Sequence, residues 1–178
     1  VNKNISSNTE LGVFRKYNCS KQSIHIEDYH KILHPYIKCI LGFELLFGVH
    51  RVEAIKIRTR DNLLFDNKLW VSRNIAFNGI ERFVPIIAEE QSNLIALFKA
   101  TLQEEQSMLD RIEQRVLMAL YKAELATINL DSTQQHRKHY VKYQANILKD
   151  IVTPRQLKFM IKDEMGIVSD NLIRKYLS

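Results

Sequence analysis

Apolar positions along residues 28–49 fall at Tyr29, Leu33, Tyr36, Ile40, Phe43 and Phe47, steps of four and three that place them on one helical face. Ile32, Ile37, Leu41, Leu45 and Leu46 widen that face, which predicts a helix buried on most sides. Pro35 and Gly42 interrupt it: either the helix starts at Pro35 with His34 outside, or it kinks there, and the glycine lets a neighbour approach closely. From residue 53 to 59 the period shortens to two. Ile55 and Ile57 alternate with Lys56, Arg58 and then Arg60, the pattern of a half-buried strand with its basic side chains in water. Turn residues at 60–62 and 66–67 lead into "KLWV", so a small antiparallel hairpin or sheet is predicted between about 52 and 77.

Pro85 then has the position of a first helical residue, and the run to residue 128 contains no further Pro or Gly. It reads as one helix, or as two collinear ones bending near Glu104 to Ser107. Its stripe passes through Leu94, Phe98, Met108, Ile112 and Val116, with the polar Thr101 and Glu105 breaking the heptad. Ser132 with Gln135, or Asp131, caps a helix predicted over 133–152, with Tyr140, Tyr143, Ile147, Leu148 and Ile151 inward and an antiparallel path back. In "TPRQ", Thr153 is a cap, Pro154 the first helical residue and Gln156 the third, so a helix starts there and ends at Gly166. Ser169 opens a last short helix through Leu172, Ile173, Tyr176 and Leu177. The fold class is therefore α+β and predominantly helical, with long antiparallel helices and a small hairpin in the N-terminal third. Residues 1–22 read as a polar, flexible tail and 23–178 as one domain, divided into a helix-plus-hairpin subregion (23–83) and a helical one (84–178).

At 178 residues and 46% hydrophobic composition, the chain can fill a substantial core. It opens on Val1, which suggests a piece of something longer. The first ten residues lack the apolar run of a signal peptide, and no window has the length of a membrane span, so an intracellular location, cytoplasmic or nuclear, is expected. Cys19 and Cys39 have no Cys-x-x-Cys partner and read as ordinary thiols. The formal charge of +6 permits a polyanionic partner. Residues 61–130 hold seven Lys/Arg against ten Asp/Glu, whereas 1–60 hold ten against five and 131–178 nine against five. An acidic middle is thus flanked by basic ends.

Chemistry is sparsely marked. Glu27, His30 and His34 share one helical face, and His136 and His139 form a second pair, so these five are the candidate metal ligands. A di-iron bundle needs a second Glu-x-x-His, which is absent, and Arg137, Lys138 and Lys142 surround the second pair with positive charge. There is no Gly-x-Ser-x-Gly elbow, no base beside a cysteine and no glycine-rich phosphate loop, so no catalytic residue and no cofactor is predicted. Three basic sets are candidates for nucleic-acid phosphates: Lys56, Arg58 and Arg60; Arg137, Lys138 and Lys142; and Arg155, Lys158 and Lys162, the last at helical spacing. The leading expectation is a non-enzymatic association module of a regulatory or structural assembly, dimerising through the helix 85–128 with Leu94, Phe98, Met108, Ile112 and Val116 at the interface. A nucleic-acid-binding module is the alternative, and a metal, haem or enzymatic role using the histidines stands third.

Overall fold

A computed structural model of the chain describes residues 26–63, 67–102, 106–133 and 136–177. The tail predicted over 1–22 lies outside them, with Cys19, Glu104, Glu105 and Gln135. The described elements run α1 (Ile26–Lys31), α2 (Pro35–Phe47), α3 (Arg51–Ala54), β1 (Lys68–Val71), β2 (Arg82–Pro85), α4 (Glu89–Thr101), a 3-10 turn (Met108–Asp110), α5 (Gln114–Thr127), α6 (Arg137–Leu148), α7 (Pro154–Met165) and α8 (Asp170–Leu177). The fold is α+β and predominantly helical, with one two-stranded antiparallel sheet among the described residues.

Helix α2 is the central post, packed by α1, α3, α4, α5 and α6. It begins at Pro35 with His34 extended outside, the first of the two alternatives. At Gly42 a Cβ would lie 2.7 Å from the end of Leu94 of α4, so any larger residue there would have to displace that side chain. The helix ends at Gly48 in the left-handed region, φ 60°, where α6 places Tyr140 in the space a side chain would need. Phe43 and Phe98 meet edge to face at 5.2 Å and join α2 to α4.

The hairpin differs from its prediction in one strand. "KLWV" is β1, but its partner is "RFVP" at 82–85, with Leu69 opposite Val84 in the core and Trp70 opposite Phe83, stacked at 6.2 Å. The strand expected over 53–59 is instead the helical turn α3 followed by turns. Its cause is local: His50 Nδ1 accepts from the Val52 amide at 3.2 Å, and Glu53 accepts from the His50 amide at 2.7 Å, a capping arrangement that starts a helix. The predicted alternation of burial survives without the strand. Ile55 and Ile57 are fully buried, Lys56 and Arg58 half-buried, and Arg60 exposed.

The helix predicted over 85–128 is divided. Pro85 closes β2 opposite Lys68 and does not open a helix. Helix α4 starts later, where Gln91 Oε1 accepts from the amides of Ile87 and Ala88 at 2.8 and 3.1 Å. A new start at Ser107, whose amide and hydroxyl both donate to Asp110, precedes α5. Leu94, Phe98 and Met108 are buried in the core and Ile112 packs against it, while Val116 is 47% exposed, so the five do not form one interface stripe. Three of them are thus spent in the core of the chain itself. Helix α6 is shorter than 133–152, leaving Ile151 72% exposed and Ile147 at the surface instead of inward. Helix α7 starts as "TPRQ" predicts, with the Thr153 amide donating to Gln156 Oε1 at 2.9 Å and the Gln156 amide to Thr153 Oγ1 at 3.3 Å. It ends at Gly166, and Ser169 opens α8 by accepting from the Leu172 amide. Among the described residues no helix is long and apolar enough to cross a membrane.

Candidate functional site

Where α2 and α7 end, their last carbonyls have no partner within the helix and attract cations. Two arginines meet that need. Arg137, the first residue of α6, donates from Nε to the Gly48 carbonyl at 2.5 Å and from Nη2 to the Met165 carbonyl at 2.6 Å. Arg82 of β2 donates from Nε to the Glu164 carbonyl at 2.9 Å and from its two terminal nitrogens to Glu53 at 3.0 and 2.6 Å. The Arg82 and Glu53 side chains are 1% and 2% exposed, so this bidentate pair is wholly buried. Burial pushes the Glu53 carboxyl up. Arg82 and the amides of His50 and Phe77 outweigh that effect and hold it below the usual range.

Three further buried groups line the junction. Glu44 of α2 accepts a hydrogen bond from the Tyr121 hydroxyl of α5 and lies 3.4 Å from Arg51 Nε, whose guanidinium rests 4.1 Å from the Tyr121 ring centre. Glu164 accepts from the Tyr140 hydroxyl at 2.6 Å, and that hydroxyl accepts from Gln144 Nε2 at 2.7 Å. Burial raises both carboxyls. His136 is 1% exposed and neither ring nitrogen has a hydrogen-bond partner among the described residues. Burial, with help from the Arg51 charge, depresses it to about 4, so at neutral pH it is uncharged.

Arg137 is the exception in this network. Arg82 has Glu53 and Arg51 has Glu44, but among the described residues no carboxylate lies within ion-pair distance of Arg137. Burial lowers its proton affinity and the charges of Glu53, Tyr176 and Glu44 oppose that, yet a guanidinium stays protonated at any ordinary pH. Its residue is only partly buried. Around it stand His50, lowered by burial and by the Arg137 charge, and Tyr176 of α8, raised by burial against the pull of Arg137. A guanidinium without a carboxylate partner can draw an anion by its charge. A phenolate here would be a nucleophile supported by Arg137, but burial outweighs that support and keeps the hydroxyl protonated.

Several members of the sequence-predicted basic sets are engaged within the molecule. Arg58 pairs with Asp110 at 3.1 Å. Lys158 and Lys162 both close on Asp170, at 2.7 and 2.5 Å, which spends the stripe on α7 inside the molecule. Arg155 lies 5.9 Å from the Phe159 ring. Lys138 is half-buried, Lys142 is exposed, and Arg137 is turned inward, away from the surface set to which its spacing assigned it. The candidate metal ligands do not gather: among the described residues no group of three or more His, Cys, Asp or Glu can hold a metal ion. Glu27 and His30 are exposed on α1, the His34 and Leu33 amides donate to Glu124, His136 is sealed in, and His139 Nδ1 faces the Leu45 carbonyl at 3.3 Å. Cys39 is a buried free thiol pushed up to about 12 by burial.

Sequence reasoning missed Glu44, His50, Arg51 and Tyr176. A signal existed for three of them, since charged or polar residues that interrupt or directly follow a wholly apolar helix end must find buried partners. No protein-family model, curated protein or solved structure matches this chain.

Proposed function

We propose that the junction around Arg137 binds a phosphate of nucleic acid, making the protein a nucleic-acid-binding module that acts through phosphate contacts. The observation that supports this most is a partly buried guanidinium fixed by two carbonyls and lacking a carboxylate within ion-pair distance among the described residues. An anion there would meet the charge of Arg137, whose Nε and Nη2 are committed to the Gly48 and Met165 carbonyls and whose Nη1 remains to donate. The formal charge of +6 and the basic α6 residues Lys138 and Lys142 favour a polymer of phosphates over a carboxylate metabolite. The test is anisotropy of a labelled mixed-sequence DNA duplex at rising salt. Binding is expected at low ionic strength with a steep salt slope, and Arg137→Gln should weaken it about tenfold or more, a loss of about 1.4 kcal/mol or more, while Arg137→Lys retains part. Equal affinity of folded Arg137→Gln and wild type would end this reading.

A second reading, association with a protein partner in a regulatory or structural assembly, draws on a different feature. An open groove of about 520 Å3 lies between the hairpin loop and α7, lined by Ile80, Phe159, Met160 and Ile167 with Lys162 and Asp163 at its edge. Phe159 is 55% and Val168 72% exposed, an apolar surface that a monomer in water does not need. Sedimentation at rising concentration, alone and after Phe159→Ser, tests self-association; unchanged monomer in both removes that form of the reading.

A further inference from the structure

Glu44 lies one helical turn before Gly48, so its carboxylate and the carbonyl that anchors Arg137 share a face of α2. It is buried, and its partners are the Tyr121 hydroxyl and the Arg51 guanidinium, at 3.4 Å from Nε, a loose separation for an ion pair. Arg51 is 21% exposed at its side chain and its guanidinium carbon lies 4.1 Å from the Tyr121 ring centre, without the bidentate lock that holds Arg82 on Glu53. Arg137 is anchored on the Gly48 carbonyl and Arg51 follows Gly48 by three residues as the first residue of α3, so both arginines are tied to the C-terminal end of α2, the helix that carries Glu44. An arginine that holds its only carboxylate loosely can exchange it for a phosphate, which offers better geometry and more charge.

We propose that Glu44, positioned by Tyr121, is an internal competitor for the bound phosphate: it retains Arg51 in the empty protein and yields it to a phosphate held at Arg137. This rests on the phosphate reading of the junction. Arg51 is then a second phosphate ligand, and Glu44 and Tyr121 are positioning residues that set how readily it is released.

The experiment is a double-substitution series read by anisotropy of the same DNA duplex. Glu44→Gln removes the competing charge and keeps the shape and the acceptor for Tyr121. It is expected to bind the duplex about threefold to fivefold tighter, the scale of one loosely held ion pair. In an Arg51→Met background, Glu44→Gln should change affinity by less than that, because the arginine it releases is gone. Tyr121→Phe loosens Glu44 without touching charge and should give a smaller gain of the same sign, which keeps the test decisive if Glu44→Gln does not fold. No gain in Glu44→Gln and Tyr121→Phe, or an equal gain with and without Arg51, overturns the competitor role. Weak binding by Arg137→Gln with no effect at Glu44 overturns this inference alone, and unaffected binding by Arg137→Gln overturns both.

Discussion

Arg82 and Arg137 both reach the C-terminal end of α7, one through the carbonyl of Glu164 and the other through that of Met165. Arg82 completes its fork on the carboxylate of Glu53 and is sealed from water, whereas Arg137 divides its fork between two carbonyls and remains partly open. The same side chain therefore does two jobs within one junction. A buried charge with a bidentate partner is satisfied and carries information only about stability; a charge held by dipoles alone keeps most of its field for something else. The nucleic-acid reading depends on that contrast.

The largest effect should come from the satisfied arginine. Arg82→Met strands Glu53 as a buried carboxylate and should cost about 3–5 kcal/mol in urea unfolding, with duplex binding by the folded fraction unchanged. Adding Glu53→Leu should recover only part of the loss, since the amides of His50 and Phe77 then lose their acceptor. Full recovery would mean that the pair is dispensable packing, and the contrast with Arg137 would weaken. The next effect lies in pH. His136 titrates at about 4 in the folded protein against an ordinary 6.5, so stability is complete above pH 6.5 and falls as pH drops toward 4, because the unfolded chain takes up a proton that the folded one refuses. The loss should be on the order of 3 kcal/mol across that window and absent in His136→Leu. Urea midpoints of the two proteins at pH 7 and pH 4.5 decide it; parallel falls would show that His136 is not buried neutral. Smaller still, Arg137→Gln should cost about 1–3 kcal/mol, since it leaves no carboxylate stranded, and should show its main effect in binding.

How much of this was legible in the sequence depended on how local the cause was. "TPRQ" specifies its helix completely, because Thr153, Pro154 and Gln156 act on one another within a single turn. The break in 85–128 is equally local, in Ser107 and Asp110, beside the bend near Glu104 to Ser107 that the sequence offered as the alternative to one helix. Residues 53–59 misled for a different reason. Alternating burial of Ile55 and Ile57 is compatible with a strand, and what decides against it is the helix start capped by His50 and Glu53, with Glu53 also held inward by Arg82 from 29 positions away. Arg137 looked like the neighbour of Lys138 and Lys142, and only the ends of two other helices reveal that it points elsewhere. Periodicity reports which side of an element is wet. It does not report which buried charge has found a counter-charge, and the candidate site consists of such pairings.

The smallest predicted effect concerns the surface counterpart of this contrast. Lys158 and Lys162 hold Asp170 at about 2, below its ordinary value, through hydrogen bonds and then charge, so the contribution of Asp170 is present above the usual carboxylate range and fades only as pH falls toward 2. The Asp170 side chain is 53% exposed, and water and salt screen it. Asp170→Asn should therefore leave the unfolding midpoint at neutral pH within error, unlike any change at Arg82. It also frees two lysines on one face of α7. If the phosphate site is confined to the junction, the salt slope of duplex binding stays as in wild type. A steeper slope in Asp170→Asn would mean that the freed lysines reach phosphates, and the site would then extend from Arg137 along α7, with Asp170 as the residue that limits it.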